Sequence, residues 1–97
     1  MTADVSIDKP IVITDHARVR MKERGALEEN VLAAVRFGER EPARDGRILC
    51  RLTLEFNQEW DGKYYGAQQV APIVVEDEDE IVVVTVLTFY IRERGTI

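Results

Sequence analysis

Residues 81–92 read Ile-Val-Val-Val-Thr-Val-Leu-Thr-Phe-Tyr-Ile-Arg, with Ile81, Val83, Leu87, Phe89 and Ile91 in one alternating set and Val82, Val84 and Val86 in the other. Successive strand residues point to opposite faces, so a stretch that is apolar in both sets is one buried on both sides. It predicts a central strand, and with it a sheet built around the C-terminal part of the chain. Thr85 interrupts the run, which falls far short of the roughly 20 apolar residues that cross a bilayer. No membrane span is expected.

Working backwards, Glu76-Asp77-Glu78-Asp79-Glu80 is a charged connection that reads as a solvated turn, since it lacks the glycine and ligand spacing of a calcium loop. Residues 63–75 form an extended segment in which Pro72 weakens pairing or marks an edge or bulge. Asp61-Gly62 supplies hairpin-turn chemistry ahead of it. From 47 to 57 the period is two: Ile48, Cys50, Leu52, Leu54 and Phe56 face one way, Arg47, Arg51, Thr53 and Glu55 mostly the other. That is a half-buried strand. Residues 39–46, Glu-Arg-Glu-Pro-Ala-Arg-Asp-Gly, are polar and broken by Pro42 and an Asp-Gly pair, and read as a loop.

The N-terminal half changes to helical spacing. After Pro10, Ile11 to Ile13 make a short strand or extended lead-in; Thr14 then offers an N-cap hydroxyl, Asp15 suits a first turn, and Gly25 a stop. A helix is predicted over 15–24, with Ala17 and Met21 on its packed side. A second follows, with Glu28 and Glu29 at its positive end, Leu27, Val31, Ala34 and Val35 at helical spacing, and Gly38 ending it. The expected fold class is therefore α+β, in one domain over residues 1–97, with two N-terminal helices packed on a four-stranded antiparallel sheet.

Composition supports a folded domain: 45% of the 97 residues are hydrophobic and 32% charged. The N-terminus lacks a basic stretch followed by an apolar one, so no secretory signal is expected. Cys50 is the only cysteine, which excludes an intrachain disulfide and a multi-thiolate metal site and fits a reducing, cytoplasmic setting. Neither metal nor cofactor is expected. The net charge of −5, from 18 acidic against 13 basic residues, weighs against generic nucleic-acid binding. Locally, however, Arg18, Arg20, Lys22 and Arg24 oppose only Glu23, and a positive patch survives.

His16, Arg20 and Arg24 recur every fourth residue and form one helix stripe about 12 Å long. Guanidinium groups bind phosphate oxygens in pairs, and imidazole exchanges protons near neutral pH, so the stripe suits an anionic ligand. The plainer alternative is that His16 packs or caps while the arginines pair with carboxylates. Tyr90 and Arg92 share a face with Thr88 and interrupt the apolar pattern, so they either line the same cleft or mark where the strand emerges into solvent. Trp60, Tyr64 and Tyr65 flank a hairpin with Lys63, and either stack on RNA bases or pack in the core. Cys50, on the apolar face of its strand, reads as a buried, inert thiol.

The stretch Thr14-Asp15-His16-Ala17-Arg18-Val19-Arg20-Met21-Lys22-Glu23-Arg24-Gly25 resembles an uncharacterised bacterial family that opens with Ser/Thr-x-His-Ala-x-x-Arg-x-x-x-Arg-Gly and is itself similar to the RelE, ParE and BrnT toxins. The resemblance implies the RelE-like fold of two helices on four antiparallel strands, and metal-independent RNA cleavage of toxin–antitoxin type. It implies His16 as general base or acid and Arg20 and Arg24 as a phosphate clamp. Tyr90 and Arg92 complete that site by position, with Arg18, Lys63 and Tyr65 as RNA contacts. The partners implied are RNA, a small antitoxin protein, or a second copy of the chain. A non-catalytic protein-binding or dimerisation module on the same fold is the alternative.

Overall fold

A computed structural model of the chain describes residues 9–92. In order, the elements are β1 (Ile11–Ile13), α1 (Asp15–Arg24), α2 (Glu28–Phe37), β2 (Glu39–Pro42), a 3-10 turn (Arg44–Gly46), β3 (Ile48–Trp60), β4 (Lys63–Glu76) and β5 (Ile81–Ile91). Both helices lie where the periodicity puts them. Thr14 Oγ1 accepts from the Ala17 N–H at 3.0 Å and caps α1, whereas α2 starts at Leu27 with no side-chain cap and relies on Glu28 and Glu29 in its first turn.

The sheet corrects the expectation of four antiparallel strands: among the described residues it has five, in the order β1-β5-β4-β3-β2, and is mixed because β1 runs parallel to β5. Two local facts account for the difference. All four residues of β2 are exposed, so no apolar alternation betrays the strand. What holds it is its ladder to residues 48–51 of β3, the Arg51–Glu41 ion pair at 2.7 Å, and an Arg40 Nη2 hydrogen bond to the Val35 carbonyl at 2.8 Å. The direction of β1 is set by main-chain bonds to a strand some seventy residues away, Ile81 N–H to Pro10 O at 3.0 Å and Thr14 N–H to Val83 O at 3.2 Å. Local pattern carries no information about such a pairing.

A β-bulge also changes how β5 presents its side chains. Val74 pairs with Val83 but Ile73 pairs with Thr85, which leaves Val84 as an extra residue. Val86 therefore joins Ile81 and Val83 in the core, while Phe89 and Ile91 turn to the opposite face and stay 44% and 40% exposed. Strict alternation had put those two with Ile81.

One core results, formed by Ile13, Ala17 and Met21 from the first half of the chain, Val31 and Val35 from α2, and Cys50, Val70, Val74, Ile81, Val83 and Val86 from the sheet. Both helices cover the same sheet face. On the other, Arg51 Nη1 donates to Gln69 Oε1 at 2.8 Å, Gln69 Nε2 donates to Thr53 Oγ1 at 3.0 Å, and the Arg51 guanidinium lies 6.0 Å from the Phe89 ring centroid. Among the described residues no helix is long and apolar enough to cross a membrane.

Candidate functional site

The helix stripe does not converge on one point. Thr14, just before α1, is bonded to the main chain of Val83, and Gly25, just after it, lies against Tyr90, so α1 runs alongside β5. His16 stands exposed in the first turn, with no hydrogen-bond or ion-pair partner among the described residues. Arg20 pairs with Glu23 at 3.0 Å, and Arg18 with Glu28 at 2.8 Å, both at the surface, where such pairs contribute little. Arg24 Nη1 donates to the Val86 carbonyl at 2.8 Å, tying the last turn of α1 to β5.

Tyr90 is committed to the same end of the helix. Its hydroxyl donates to the Arg24 carbonyl at 2.5 Å and accepts from Gln68 Nε2 at 3.1 Å; Gln68 Nε2 also donates to the Gly25 carbonyl at 3.1 Å. These bonds satisfy carbonyls that the end of a helix leaves without partners. The Tyr90 ring stacks on Trp60 at 5.5 Å and meets Phe56 at 5.4 Å and Tyr65 at 5.2 Å. Burial pushes its phenol above the ordinary value; the Gln68 hydrogen bond opposes this and nearby Tyr65 reinforces it.

Gly25 is what allows this clasp. Its φ of 76° is left-handed, and a Cβ there would lie 2.5 Å from Tyr90 Oη and 2.8 Å from the Trp60 ring. Arg92 lies with its guanidinium 5.8 Å from the Tyr65 centroid. Tyr90, Tyr65, Arg92 and the main chain of Arg24 thus gather at one end of α1, whereas His16 is at the other, roughly 12 Å away along the axis. Lys63 is exposed beside the Asp61-Gly62 turn. Cys50 is buried, and its thiol is pushed up by that burial, with Arg40 partly offsetting it. No group of three or more His, Cys, Asp or Glu side chains among the described residues is arranged to hold a metal.

The sequence reading missed a groove of about 470 Å³ where the α1–α2 junction meets the far end of β3. Phe56 and Trp60 give it an aromatic wall, Lys22 and Leu27 line the helix side, and Glu55 and Glu59 bring carboxylates. Gln68, 2% exposed, also lines it. β3 continues nine residues past its last pairing with β2, at Arg51, so the outer edge of 52–60 has no strand partner among the described residues. No local signal in the sequence marks it, because β2, which sets where the open edge begins, has no apolar alternation of its own.

Fold and site together define a small α+β domain with a one-sided core, a helix end clasped by aromatic rings, and an acidic groove beside an open strand edge. The family model described as "Domain of unknown function (DUF4258)" matches residues 13–88, and the chain belongs to that family. Neither the curated proteins nor the solved structures gave a match to this chain.

Proposed function

We propose that the chain is a non-catalytic protein-binding module of the cytoplasm. The observation that carries this reading is the commitment of Arg24 and Tyr90 to the main chain at the C-terminal end of α1. Metal-independent RNA cleavage needs a base at the ribose 2′-hydroxyl and cations at the adjoining phosphate, all within hydrogen-bond reach of one scissile bond. Here the imidazole is a helix length from the phenol, and the phenol is made harder to ionise by its burial. The acidic net charge of −5 supports the same reading.

The competing reading, a toxin-like ribonuclease, draws on the resemblance of residues 14–25 to the RelE, ParE and BrnT toxins and would use His16 with Arg20 one turn on. Purified wild type and His16→Ala, both shown to be folded by circular dichroism, are incubated with total RNA and expressed in growing cells. Neither is expected to cut RNA or arrest growth. Cleavage by the wild type that disappears in His16→Ala overturns the binding-module reading.

A further inference from the structure

We propose that the groove and the open edge of β3 form one docking site for an extended, basic peptide segment, which adds as a strand alongside residues 52–56 and carries an arginine or lysine side chain into the groove. The proposal rests on the binding-module reading and names the partner that reading leaves open. An unpaired strand edge presents a row of main-chain donors and acceptors, and strand addition takes its affinity from them and its specificity from neighbouring pockets. At the opposite side of the sheet the edge is partly covered: β1 pairs with Ile81 to Val83, and Arg24 occupies the Val86 carbonyl. On the β3 side, β2 stops at the Arg51 register, the ladder to β4 shifts register between Glu55 and Gln58, where Asn57 has a φ of 45°, and Phe56, Gln58 and Trp60 line the groove.

Charge selects the occupant. Glu55 and Glu59 are exposed, line the groove, and have no ion pair among the described residues, while Lys22 is the one cation in the lining. A cation between them gains two carboxylates and the face of Trp60 or Phe56, a combination that favours guanidinium or ammonium. A second copy of this chain would instead bring Glu55 and Glu59 toward their own counterparts. The edge therefore repels itself and attracts a basic strand.

The probe is a capped nine-residue peptide alternating valine or threonine with two arginines, compared with a copy bearing glutamates in their place and a copy N-methylated on alternate amides. Binding is read by Trp60 fluorescence and by amide hydrogen exchange of the full chain. The arginine peptide is expected to slow exchange at residues 52–56 and to bind roughly tenfold or more tightly than the glutamate peptide, with N-methylation abolishing it. Glu55→Gln with Glu59→Gln, both at exposed positions, is expected to weaken it roughly three- to tenfold. Equal affinity for the two charge forms, tolerance of N-methylation, or protection confined to other strands overturns the proposal. RNA cleavage lost in His16→Ala overturns the binding-module reading and this one together. With no cleavage and no peptide affinity, only the docking site falls.

Discussion

The two ends of α1 hold comparable chemical groups in opposite states. At the first turn, His16 is exposed and without a partner among the described residues, next to a helix start held by Thr14 alone. At the last turn, the Arg24 guanidinium, the Arg24 and Gly25 carbonyls, the Tyr90 hydroxyl and the Gln68 amide all bond one another or the main chain of β5, walled by Phe56, Trp60 and Tyr65. Residues that a motif would assign to catalysis hold the helix to the sheet at one end, and at the other one stands free. Spacing along a helix says which side chains share a face, not which of them are already spent.

The largest expected effect breaks the clasped end. Gly25→Ala places a Cβ against Tyr90 Oη and Trp60 at a φ of 76° and should destabilise the protein by about 2–4 kcal/mol, read from urea unfolding. A loss below about 0.5 kcal/mol would mean the junction is looser than its contacts indicate. Next is Tyr90→Phe, which keeps the ring but leaves the Arg24 carbonyl and Gln68 short of a partner, at a cost of about 1–2 kcal/mol. It carries a pH signature. The folded-state pKa of Tyr90 is raised, so its contribution is intact below the unfolded value near 10 and is lost as pH rises through the folded one. Unfolding titrations from pH 8 to 12 should show an alkaline loss of stability that is smaller in Tyr90→Phe.

The helices were legible because their signals are local: Thr14, Gly25 and Gly38 mark ends, and Ala17 with Met21 marks a face. The half-buried run of β3 was legible for the same reason. β2 was not, since Glu39 to Pro42 are held by a neighbouring ladder and by Arg51 and Arg40 rather than by burial of their own side chains. Nor was the bulge at Val84, because alternation counted through it groups Leu87, Phe89 and Ile91 with Ile81 and puts Val86 on the other face, whereas Val86, at 0% exposure, shares the core with Ile81 and Val83. Of the candidate site, the composition of the stripe was readable, but the capture of Arg24 by Val86 and of Tyr90 by Arg24 depends on contacts more than sixty residues apart. The groove escaped notice because it is made where one strand outlasts another.

Two smaller effects sharpen the contrast between the helix ends. Arg24→Met retains the aliphatic stem but not the bond to the Val86 carbonyl, and should cost about 1 kcal/mol, read as a lower urea midpoint with an unchanged slope. His16→Ala should move the midpoint by no more than about 0.5 kcal/mol, because the imidazole touches no partner among the described residues and the N-cap bond belongs to Thr14. The pair is informative in its ratio. If His16→Ala costs as much as Arg24→Met, the imidazole is structural after all and the two ends are alike; if it costs nothing while Arg24→Met unfolds readily, the imidazole takes no part in holding the fold. In that case the imidazole has no structural duty, and the RNA experiment with His16→Ala tests whether it has a chemical one.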